Sequence, residues 1–139
     1  MKVYVAAPFG EYWRVRAAQT AIRERGGTIT CDWTQEVERY PDGNAPGDVG
    51  KEHALADMQG VLDADAMLLL TGSDHAKGCG CWIELGIALA ERRFRHDVSC
   101  GRLLVVITGP QRERTIFSRL ADKLVDTDLE GVSYLLPAP

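Results

Sequence analysis

Apolar residues follow two rhythms along this chain. Short strand-type blocks occur at residues 2–6, 28–32, 66–70, 103–107 and 123–125. In the first, Val3 and Val5 flank Tyr4, and the run ends at Ala6-Ala7-Pro8. The block at 103–107 is apolar throughout and stops at Thr108-Gly109-Pro110. Between the blocks the period lengthens to that of a helix. Residues 11–25 carry Trp13, Ala17, Ala21 and Ile22 on one predicted face and arginines on the other, with Gly26-Gly27 as the stop. Residues 52–62 repeat Leu55, Met58 and Leu62 at the interval of a buried stripe, and 81–93 form a third helix. A short helix is predicted at 116–120 and a last one at 128–135, with Thr127 as its N-cap.

Apolar strands alternating with helices are the pattern of a parallel sheet covered on both faces. The expectation is an α/β fold, a single domain over residues 1–139, with a flavodoxin-like doubly wound five-stranded parallel sheet. In such a sheet every strand points its C-terminal end at one rim, where ligands bind. That rim would collect residues 6–10, 32–34, 71–80 and 108–110. The stretch 33–50, with two prolines and three glycines, is long for a connection and reads as a functional lid.

Composition narrows the class. A net charge of −4 provides no basic footprint for polymeric nucleic acid, so none is expected as a partner. No segment approaches the ~18 apolar residues of a membrane span, and MKVYVAAPF is too short an apolar run for a signal sequence. A cytoplasmic location without membrane attachment is expected. The four cysteines lack the spacing of a secreted disulfide framework. Cys79, Cys81 and His75 are too few to read as a metal site, and neither metal nor cofactor is expected.

The candidate chemistry centres on the run from Asp65 to Ala90. Gly72, Gly78 and Gly80 bracket a polar turn between strand 66–70 and an apolar helix, and Glu84 falls in that helix's first predicted turn. A carboxylate there lies at the ligand-binding edge of the sheet. The competing structural reading is an acid that complements the helix dipole. His53 and His96 read as surface residues.

Taken together, MKVYVAAPF, ADMQGVLDADAMLLL and GCGCWIELGIALA resemble the nucleoside 2-deoxyribosyltransferase family, which includes 2′-deoxynucleoside 5′-phosphate N-hydrolases and small phage-type members. The closing segment TIFSRLADKLVDTDLEGVSYL is similar to the ends of the small members. The resemblance implies that Glu84 acts at the sugar C1′, that Tyr4 hydrogen-bonds it, and that Asp57 assists the leaving base. It also implies substrate contacts from the first rim loop, Ala7, Pro8, Phe9 and Gly10, and from the turn before Glu84, including Gly80. Six residues before the glutamate, the family carries aspartate or serine where this chain has Gly78. Ser73 or Asp74 would supply that group from the same turn, and Arg14, Arg16 or Ser73 a phosphate contact. The implied partner is a small nucleoside or nucleotide, and the implied assembly a homo-oligomer.

Cleaving an N-glycosidic bond builds positive charge on the sugar, which an ionised carboxylate stabilises. Helix N–H groups and the Tyr4 hydroxyl are expected to keep Glu84 charged, while Asp57, between Ala56 and Met58, is expected to be partly desolvated and to donate a proton. Two further readings stay open: a Toll/interleukin-receptor-like NAD hydrolase, which also uses a helix glutamate beside a ribose, and a non-catalytic nucleotide-binding or sensing module.

Overall fold

The computed structural model describes residues 1–72, 79–95 and 101–138. In chain order they form β1 (Lys2–Ala6), α1 (Tyr12–Glu24), β2 (Thr28–Ile29), α2 (Gly47–Leu62), β3 (Ala66–Leu70), α3 (Gly80–Arg95), β4 (Leu104–Thr108), β5 (Lys123–Val125) and α4 (Asp128–Leu135), with short 3₁₀ turns at Phe9–Glu11, Trp33–Glu36 and Ile116–Leu120. The sheet is all parallel in the order β2-β1-β3-β4-β5. This is the flavodoxin-like winding, with the chain reversing direction across the sheet between β1 and β3.

Alternation along the strands divides the core. Val3 and Val5, with Leu68 and Leu70, face α1 and α4, whose Val15, Ile22, Val132 and Leu135 complete that layer. Tyr4 and Ala6, with Met67 and Leu69, face α2 and α3, meeting Val61, Leu85 and Ala88. β3 is buried on both faces, so each of its leucines contributes ~1.5–3 kcal/mol of burial. The alternation decides where the site lies: Tyr4 leaves β1 on the side occupied by α2 and α3.

Two predicted helix faces differ from those observed. The buried face of α1 is Val15, Ala18, Gln19 and Ile22, while Trp13 is 61% exposed and Ala17 is also exposed. Of the predicted face Ile22 is buried and Ala21 packs against the core, and the run 15, 18, 19, 22 fits the helical period better than one that includes Trp13 and Ala17. In α2 the contact with the sheet is made by Gly60 and Val61, and of the predicted stripe Leu55 and Met58 face outward while Leu62 is half-buried. Helix α2 also begins earlier than predicted, at Gly47, and takes the end of the long connection into itself. β2 is shorter than predicted, because beyond Ile29 the chain bends toward Trp33–Glu36.

At Gly60 the helix approaches the sheet closely. A Cβ there would lie 2.6 Å from Cys31 Cβ and 3.0 Å from Tyr4 Cδ2. At the far rim, Gly109 has φ +88°, and a Cβ would lie 2.6 Å from the Thr71 carbonyl oxygen. No helix among the described residues is long and apolar enough to cross a membrane.

Candidate active site

Three elements converge on the α2–α3 side of the rim. β1 delivers Tyr4, fully buried, whose hydroxyl donates a 2.8 Å hydrogen bond to Glu84 Oε1. Glu84 sits in the second turn of α3, because the helix starts at Gly80 rather than one residue later. Asp57 comes from the middle of α2, and Cys31 Sγ donates to its Oδ1 at 3.5 Å. All but Tyr4 border a cavity of about 350 Å³. The first rim loop contributes Ala7 and Phe9 to its wall, and Gly80 and Cys81 lie at its α3 end.

Segment 33–50 forms the opposite wall. Trp33, Glu36 and Gly43 line the cavity. Trp33 Nε1 donates to the Val5 carbonyl at 2.9 Å, and its ring lies 5.8 Å from that of Phe9 at 30°. The two tilted rings make an apolar wall against which a planar heterocycle can pack. Among the lining residues, Asp32 and Trp33 fall in the rim segment 32–34 expected from the sequence and Glu36 in the expected lid 33–50, whereas His53 reads from the sequence as a surface residue. For His53 a signal was present: it stands four residues before Asp57, hence on the same face of α2.

The electrostatics differ from the expectation at Glu84. Burial, reinforced by the neighbouring charge of Asp57, pushes its carboxyl up to about 8, and the Tyr4 hydrogen bond offsets only part of this. The second-turn position explains the difference: the free N–H groups of a helix belong to its first turn. Asp57 is also raised by burial, against the opposing effects of Cys31, Tyr4 and His53. The site therefore holds two carboxyls that resist ionising together. Tyr4 is raised, by burial first and then by Glu84 and Asp57, and stays a hydroxyl donor. Burial pushes the thiols of Cys31 and Cys81 up to about 12, so neither is a thiolate nucleophile near neutral pH.

Other sequence candidates stand elsewhere. Pro8 and Gly10 border the rim turn rather than the cavity, the Pro8 carbonyl accepting from Glu11 N at 2.8 Å. Arg14 is committed to a structural cluster. Its Nε and Nη2 donate to Asp128 at 2.8 and 2.7 Å, and its Nη1 to the Thr71 carbonyl at 2.9 Å and to Glu11 at 3.3 Å. Arg16 donates to Thr34 Oγ1 and to the Thr34 carbonyl. Neither guanidinium borders the cavity. Ser73, Asp74 and Gly78, together with His75 and His96, lie outside the described residues. Among the described residues no group of three or more His, Cys, Asp or Glu side chains is disposed to hold a metal ion.

No family model matches the chain, and no curated protein does.

Proposed function

We propose that this protein cleaves or transfers the N-glycosidic bond of a (deoxy)nucleoside or nucleoside 5′-monophosphate, with Glu84 acting at C1′. The observation that carries the reading is the Tyr4–Glu84 hydrogen bond of 2.8 Å beside Asp57, at a cavity with an aromatic wall. The segments that resemble the deoxyribosyltransferase family supply the same three residues. In the proposed reaction Asp57 gives its proton to a ring nitrogen of the base as the C1′–N bond breaks, and the bonding electrons leave with the base. Ionised Glu84 stabilises the electron-poor C1′ or bonds to it through a carboxylate oxygen. Water or a second base then takes its place at C1′. The pair carries one proton; burial favours it on Glu84, and the reacting arrangement, which Tyr4 favours by donating to ionised Glu84, moves it to Asp57.

Base release from a panel of nucleosides and 5′-monophosphates, with and without an acceptor base, tests the reading. Wild-type turnover with a loss of ~10³-fold in Glu84→Gln is the expected result. No base released or exchanged from any substrate overturns it, and nucleotide binding without product under those conditions establishes the non-catalytic module instead.

A second copy of the chain is the proposed partner. Helices α2 and α3 pack against each other and leave Leu55 (55%), Met58 (42%), Ile83 (65%) and Phe94 (71%) exposed. On α3 the small residues Gly86 and Ala90 are exposed between the last two, which allows close helix approach. This apolar face adjoins the cavity at Ala56 and Gly80, so a paired subunit would border the site.

A further inference from the structure

His53 lines the cavity one turn before Asp57 on α2. Its Nε2 lies 3.6 Å from Glu36 Oε2, and its ring meets that of Tyr40 edge-on, centroids 5.8 Å apart at 64°. Glu36 and Tyr40 belong to one turn of backbone, since Tyr40 N donates to the Glu36 carbonyl at 2.8 Å. The wall 33–43 is thus held at two ends. On the rim-loop side Trp33 is pinned to Val5 and Gly43 packs on Phe9, where a Cβ would come within 3.1 Å of the ring. On the α2 side the contacts to Glu36 and Tyr40 come from His53.

We propose that His53 is a specificity-determining residue: by holding Glu36 and Tyr40 against α2 it sets the width of the cavity beside Asp57, and with it the size of the leaving base admitted. The inference rests on the N-glycosidic reading for what occupies the cavity. A base protonated by Asp57 must lie along the α2 wall, and one turn along that wall it meets the imidazole. Phe9 and Trp33 supply a stacking surface with no hydrogen-bond code toward a base, whereas His53 and Glu36 present polar edges in the base plane's neighbourhood. The charged groups around His53 are Glu36 from the wall and Asp57 from its own helix, with Asp32 and Glu84 on the same cavity. His53 touches no reacting bond in this scheme, so its effect falls on binding and on selection between bases.

The test compares wild type with His53→Ala, His53→Gln and Glu36→Gln. Steady-state kinetics and calorimetric binding are measured on a purine and a pyrimidine deoxynucleoside. For His53→Ala, KM and Kd rise ~10-fold with kcat changed less than ~3-fold, and the purine-to-pyrimidine ratio of kcat/KM moves ~5-fold or more. His53→Gln recovers part of the loss, and Glu36→Gln combined with His53→Ala adds little to the single change. Unaltered KM, Kd and base ratio in folded His53→Ala overturn the proposal, as does an equal fall in kcat for both bases at constant KM. Should His53→Ala fail to fold, His53→Gln and Glu36→Gln decide on the same criteria. Binding without turnover or exchange in wild type across the panel of nucleosides and 5′-monophosphates, with and without an acceptor base, refutes the N-glycosidic reading, while the Kd ratios among variants still judge His53. Absence of binding by every member of that panel overturns both.

Discussion

At the scale of single residues, two carboxyls and a phenol share a small buried volume, and their protons set the expected pH behaviour. In the proposed reaction the pair Asp57–Glu84 works with one proton. Its kcat/KM should fall at low pH, where a second proton neutralises the attacking carboxylate, and fall again above about pH 8, where the last proton leaves. A stopped assay from pH 4 to 10 checks this, and a profile flat through pH 8 contradicts it. Tyr4→Phe removes the hydrogen bond that lowers Glu84, so the alkaline limb moves upward and kcat/KM drops ~10–100-fold. Stability changes by ~1 kcal/mol, because the ring still fills its place. Linkage adds a stability prediction. Glu84 is raised from 4.5 to about 8 on folding, so its contribution to stability is intact below pH 4.5 and lost as pH rises to 8. Glu84→Gln, which keeps an acceptor for Tyr4, should therefore be more stable than wild type above pH 8, by on the order of 2 kcal/mol, in urea melts run at pH 5 and pH 9.

At the scale of elements, strands were more legible than helix faces. β1, β3 and β5 have the predicted limits: β3 is buried on both faces and apolar at every position, and edge strand β5, with Lys123 exposed, is bracketed by Asp122 and Asp126. A helix face must be chosen among stripes, and the choice depends on what covers the helix. α2 shows this, for its sheet contact is made by Gly60 and Val61 while Leu55 and Met58 point away. The same applies to the site. Tyr4, Asp57 and Glu84 stand at positions that element limits and a resemblance identify, whereas Trp33, Glu36 and His53 meet only because a long connection folds across α2. Two substitutions probe single elements. Thr127 caps α4 in a full capping box with Glu130, so Thr127→Ala should cost ~1 kcal/mol by thermal melt without altering the cavity. Gly60→Ala should lower kcat/KM by displacing the Tyr4 ring, and a crystal structure of the variant would show the Tyr4–Glu84 distance lengthened.

At the scale of the whole molecule, the sheet order puts the candidate residues on one side and the Arg14–Asp128 cluster on the other. Asp128 also accepts from Thr108 Oγ1 at 2.5 Å, so the cluster ties α1 and α4 to the ends of β3 and β4. This gives Arg14 a role in cohesion, where the sequence admitted phosphate binding. The outward apolar face of α2 and α3 yields the prediction for assembly: light scattering should report a dimer or higher oligomer, and Ile83→Asp should shift it toward monomer while far-UV circular dichroism is retained. A monomeric wild type would remove the proposed pairing.

Tyr4 and Glu84 are 80 residues apart in the chain, and their hydrogen bond forms across β1 and α3. Helices arise from neighbours in sequence within microseconds, but this contact requires the loop between them to close and β3 to be seated beside β1. Under the proposed function, catalytic competence is then among the last properties a refolding chain acquires. In a dilution experiment from denaturant, helical ellipticity should return first and turnover should lag behind it, making activity a clock for the completion of the parallel sheet.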